Sequence, residues 1–206
     1  MSEDVFPIYQ ALWRRAEAEG VFVGYVGVVG NGEAGYFHSR EDPVRKRKPM
    51  IAITRPYYKS PGNEPTRESN APSASAQPDL RAELFTLAHE YGHFRSWAGR
   101  TERVEWDAYT AVAVRRDELT KQLHAESPDA DGPTFNARLR EAMQTKLSAD
   151  DRDRIVREET LAWDIGREVL AELGLGDFHE YDERARNGLH NHRYRLGMDD
   201  LWPGDR

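Results

Sequence analysis

Two histidines one helical turn apart, with a glutamate between them, constrain this chain more than any other feature. They lie in Leu87-Ala88-His89-Glu90-Tyr91-Gly92-His93-Phe94. Side chains at i and i+4 stand above one another on one face of a helix. His89 and His93 can therefore share one ion if this segment is helical, and H-E-x-x-H predicts both the helix and the metal. Neutral imidazole nitrogen suits zinc, and a catalytic zinc keeps one position for water and lowers its pKa toward about 7. Glu90 then has a use: it takes the proton as water attacks a scissile carbonyl and passes it to the leaving amine. Helix phase agrees. At about 100° per residue, His89 and His93 share a face with Phe85 and Ser96, while Leu84, Leu87, Ala88, Tyr91, Phe94 and Ala98 gather opposite. Core histidines would lie inside that apolar stripe, and these two avoid it. Tyr91 falls on the stripe and reads as core. Gly92 reads as a point where another backbone comes too close for a side chain.

Hydrolytic zinc sites commonly use three protein ligands. No third histidine follows soon after His93, so a carboxylate from a later helix is expected. The stripe Ile155, Glu159, Ala162, Gly166, Val169 and Leu173 alternates steps of four and three, which is one side of a helix. Glu159 is its one charged member. A buried carboxylate there is costly unless a cation or strong donors meet it. The rival is Glu105, in Glu105-Trp106-Asp107-Ala108, just across a turn from His93. For the developing oxyanion, His190, His192 and Tyr194 are candidates, since a polarised N–H or O–H is what that charge needs. His179 reads as surface, and His38 and His124 as exposed.

The run Thr86-Leu87-Ala88-His89-Glu90-Tyr91-Gly92-His93 resembles the motif helix of ImmA/IrrE-type zincin metallopeptidases. The preceding Met50-Ile51-Ala52-Ile53 and the later Glu159-Thr160-Leu161-Ala162 are placed as in that family. The resemblance implies a zincin core, Glu159 as third ligand with Ala162 three residues on, and regulated cleavage of a partner protein such as a helix-turn-helix repressor. It covers the core but not residues 102–148, which family members mostly lack.

The rest of the chain predicts an α+β fold: a small antiparallel sheet, a mainly helical zincin core and a helical insertion, in one domain over 1–206. Residues 7–19 predict a helix with Ile8, Leu12 and Ala16 on one face, and 21–29 a strand. Asn31-Gly32 is a hairpin signal, because both turn positions need positive φ. Residues 34–38 are then the returning strand and 50–54 a third one. Residues 59–78 are rich in Pro, Ser, Asn and Ala and predict a mobile surface loop. Beyond Asp79 the chain reads as helical, over 79–98, 102–124, a segment carrying Phe135, Leu139, Met143 and Leu147, and 151–173. Ser148-Ala149-Asp150-Asp151 resembles a capping box before the last of these. The insertion at 102–148 is expected to be a helical hairpin.

With no cysteine among 206 residues, disulfides, thiolate metal sites and a cysteine nucleophile are excluded. Such a chain suits the cytoplasm. Net charge of −7 argues against direct nucleic-acid binding, which relies on Lys and Arg against phosphate. The basic run Arg45-Lys46-Arg47-Lys48 reads as a solvated flank. The acidic opening shows no signal peptide, and no apolar stretch is long enough to span a membrane. The expected function is zinc-dependent hydrolysis of a protein or peptide substrate. Two other classes stay open: a catalytically idle zinc protein that binds a partner, and a metal-dependent hydrolase of a non-peptide substrate.

Overall fold

A computed structural model describes residues 4–26, 35–39, 48–54, 80–99, 104–128, 130 and 132–199. Its elements run α1 (Phe6–Ala18), β1 (Phe22–Val26), β2 (Gly35–His38), β3 (Met50–Thr54), α2 (Leu80–Ala98), α3 (Val104–Glu126), α4 (Gly132–Lys146), α5 (Ala149–Glu172) and α6 (His179–Arg195). The α+β class holds, with helices dominant. No helix among the described residues is long and apolar enough to cross a membrane. The Asn31-Gly32 turn, residues 59–78 and the basic residues 45–47 lie outside the described residues.

The sheet is mixed, not antiparallel as expected. Its order is β1-β3-β2, with β1 parallel to β3 and β2 antiparallel to it. β1 and β2 therefore do not form the hairpin that Asn31-Gly32 suggests. The reason lies in β3, where Ile51, Ala52 and Ile53 are buried in succession. A strand apolar on both faces belongs inside a sheet rather than at its edge. A turn signal carries no information about a third strand entering between the two it joins.

Contacts divide the chain into two compact units, Met1–Gly99 with Leu161–Phe178, and Arg100–Thr160 with His179–Arg206. In the first, α1 packs on α2 and β1, and α2 packs on β2 and β3. Tyr9, Leu12, Tyr25, Ile51, Leu84 and Tyr91 are fully enclosed there. Arg15 ties α1 to α5 through Glu172 at 2.6 Å. α1 and α5 end alike, on a glycine at positive φ, Gly20 (95°) and Gly174 (92°). After α5 the Gly174 N–H donates to the Ala171 carbonyl (3.1 Å) and the Leu175 N–H to that of Leu170 (3.0 Å). Leu170 and Leu175 are both buried, so an apolar contact accompanies this helix stop.

The second unit has its own core of Val112, Leu139, Met143, Leu147, Ile155 and Leu196. The stretch expected as a helical hairpin supplies its first four members through α3, α4 and the residue after α4. Before α5 the Ser148 and Asp151 pair caps reciprocally: the Asp151 N–H donates to Ser148 Oγ (3.1 Å) and the Ser148 N–H to Asp151 Oδ2 (3.3 Å).

Gly92 is the residue that brings α5 onto α2. A Cβ there would fall on the Ala162 carbonyl oxygen, 2.7 Å from the carbonyl carbon and 2.9 Å from Cα. The obstacle is backbone, which cannot swing aside as a side chain would. Gly92→Ala should therefore destabilise the metal-free protein by about 3 kcal/mol or more. Gly132→Ala, with open space around it, should change stability by less than about 1 kcal/mol. Urea denaturation followed by circular dichroism compares the two, and equal midpoints would show that the crossing does not depend on glycine.

Candidate metal centre

Helix α2 carries His89, Glu90 and His93 on adjacent turns, and α5 carries Glu159 one turn before Ala162. One ligand atom from each of His89, His93 and Glu159 lies within 4.8 Å of the others, a group that could hold a metal ion. His93 and Glu159 are buried and His89 is partly exposed. The two imidazoles meet edge to face, with centroids 4.7 Å apart and planes at 73°. Nδ1 of each ring is shielded from solvent.

The donor set fits a small divalent ion. Bonds of about 2.1 Å in tetrahedral geometry put donor atoms about 3.4 Å apart. Two imidazole nitrogens and one carboxylate oxygen also match the chemistry of catalytic zinc sites. Burial of Glu159 alone would not call for a metal, because His192 and the Arg116 guanidinium also bear on it. His192 Nε2 lies 3.6 Å from its Oε2. Burial works against the Arg116 charge, yet Asp117, Tyr109 and Glu159 outweigh it and hold the guanidinium above its ordinary pKa. It is the two imidazoles beside this carboxylate that make the group a ligand set.

Glu90 is also buried, at 7% exposure. β2 passes directly over this part of α2. A Cβ at Gly35 would lie 2.7 Å from Thr86 Cγ2, 2.9 Å from the Ala52 carbonyl oxygen and 3.3 Å from Glu90 Cγ. The strand can approach the Thr86 and Glu90 face because it presents glycine there. That signal was available, since an isolated glycine among Tyr36 and Phe37 marks close backbone approach.

No protein-family profile, curated protein or solved structure matches this chain.

The remaining candidates are dispersed. Glu105 is exposed on α3 and is not part of the ligand group. His190 Nδ1 lies 3.2 Å from Asp199 Oδ2. Arg193 holds the same carboxylate through two nitrogens at 2.9 and 3.1 Å and keeps its pKa below the usual range. The Tyr194 ring lies under the Arg140 guanidinium at 4.3 Å. Of the three oxyanion candidates, His192 is the one against Glu159. His179 is exposed at the start of α6 and His38 is exposed on β2. His124 is exposed as well, stacked on Phe135 at 4.0 Å. Tyr91 is enclosed, as its phase predicts. Its phenol is pushed above the ordinary pKa by burial, against a hydrogen bond from Arg95 that lowers it. Two neighbours of the site are not signalled by the sequence: Arg116, whose charge interacts with Glu159, and Trp163, whose ring stacks on His89.

The geometry predicts that Glu159→Ala weakens metal affinity by more than about 100-fold, the loss expected of a ligand rather than of a supporting group. Glu105→Ala should leave it within about threefold, as for an exposed side chain remote from the ion. Competitive zinc titration, with circular dichroism to check folding, measures both. Metal loss in Glu105→Ala alone would reverse the assignment.

Proposed function

We propose that this chain hydrolyses peptide bonds, with zinc bound by His89, His93 and Glu159 and with Glu90 as the general base. One observation carries the reading: a carboxylate that is not in the ligand group, Glu90, is held in the buried turn between two ligand-capable imidazoles. A purely structural metal site has no use for it. Zinc supplies the Lewis acidity that activates a water and polarises a carbonyl. The chain's own residues do the rest. Glu90 accepts the water's proton on its carboxylate and later delivers it to the leaving nitrogen. Gly35 lets β2 close over the Glu90 stem, which fixes the carboxylate and limits water around it. His192, beside Glu159, contributes an N–H toward the negative charge that develops on the carbonyl oxygen.

The substrate we propose is a particular protein rather than bulk peptide, in keeping with the resemblance to ImmA/IrrE-type peptidases, whose typical target is a repressor. A cysteine-free chain with nitrogen and oxygen donors suits work in the cytoplasm.

Glu90→Gln tests the mechanism. It should keep stoichiometric zinc and the wild-type fold while cleavage of a partner protein falls by at least about 100-fold, the usual contribution of a general base. Chelation should abolish wild-type cleavage, and added zinc should restore it. Undiminished turnover in Glu90→Gln would remove the base from the mechanism. Zinc binding with no cleavage of any protein would leave a binding role. Chelator-sensitive turnover of small non-peptide esters or amides alone would change the substrate class.

A further inference from the structure

Trp163 lies on α5 one residue beyond Ala162 and four beyond Glu159. Its indole stacks on the His89 imidazole, with centroids 4.2 Å apart and an interplanar angle of 27°. Around the point where Gly92 meets Ala162, the two helices contribute matching positions. On α2, His89 is three residues before Gly92 and His93 one after it. On α5, Glu159 is three residues before Ala162 and Trp163 one after it. The early residue of α2 meets the late residue of α5, as ring on ring. His93 and Glu159 complete the arrangement within the ligand group. One helix turn of α5 thus bears a carboxylate for the ion and an aromatic plane for one of its imidazoles.

The geometry points to Trp163 as a positioning residue for His89, an inference that rests on the metal reading above. A ligating imidazole must keep its ring plane and nitrogen direction fixed, and neighbours that enforce this carry much of a site's affinity. Here the enforcing contact is a face rather than a hydrogen bond. The indole prevents the His89 ring from rotating about its Cβ–Cγ bond, because rotation would drive the imidazole edge into the Trp163 ring. The contact also favours the bound state. Coordination draws electron density out of the imidazole, and an electron-poor ring is held more strongly over an indole face.

The test uses the full chain and metal ions alone. Competitive zinc titration should show Trp163→Leu binding about tenfold more weakly than wild type, at the lower end of what supporting residues contribute. Trp163→Phe keeps an aromatic face and should recover most of that loss. A merely structural role would lower stability without this rescue in affinity. Cobalt supplies a second readout, because a paramagnetic ion bound to His89 quenches an indole in contact with it. Of the five tryptophans, Trp163 should account for most of the quenching, so Trp163→Phe should abolish most of it while still binding cobalt. If Trp163→Leu fails to fold, the cobalt comparison between wild type and Trp163→Phe decides. Zinc affinity unchanged in a folded Trp163→Leu, or quenching that persists in Trp163→Phe, would overturn the inference while leaving the metal site intact. A wild-type chain that takes up neither ion would overturn the metal reading, and this inference with it.

Discussion

The approach of α5 onto α2 at Gly92 and Ala162 is the contact on which the site depends. Interaxial distance between packed helices is set by the side chains at the crossing. With hydrogen on one side and a bare carbonyl on the other, these two come closer than a Cβ would allow. All four residues that define the site lie within one turn of that point, so their separations follow from it. Side chains of ordinary length then suffice to converge, and no loop has to be positioned to complete the group. A site built on helix interiors is held more rigidly than one built on loops.

The same closeness creates an electrostatic problem. Glu90, Glu158 and Glu159 are all buried, at 7%, 4% and 5% exposure, and buried carboxylates demand compensation. Glu159 meets His192 and the field of Arg116 as well as the two ligand-capable imidazoles. A divalent cation held by His89, His93 and Glu159 would bring a further compensating charge to the Glu159 carboxylate. In the metal reading proposed above, such an ion would help to offset the burial of Glu159, and its binding would be coupled to folding.

Local features of this fold were legible in the sequence, and long-range ones were not. The capping pair Ser148 and Asp151 and the period of Leu139, Met143 and Leu147 are both written within a few residues, and both appear in the structure. Gly92 was legible as a close approach because a glycine inside a strong helix has few other uses. Strand order was not legible, since Asn31-Gly32 speaks for a turn and is silent about β3 entering between its neighbours. Nor could spacing choose between Glu105 and Glu159, as each is followed by alanine three residues later. What separates them is burial. The Trp163 contact was hidden for a different reason: an aromatic next to an apolar stripe reads as packing until the ring it faces is known.

The ligand group contains nitrogen and oxygen but no sulfur. Thiolate sites lose their metal when oxidants convert the ligand to sulfenic acid or a disulfide, which couples their occupancy to the redox poise of the compartment. Imidazole and carboxylate do not take part in that exchange, and this chain has no cysteine anywhere to compete for the ion or to cross-link the helices around it. Peroxide and thiol-blocking reagents thus have no handle on the ligands themselves. An ion held by His89, His93 and Glu159 would therefore stay indifferent to the thiol chemistry through which oxidative stress reaches other metal centres.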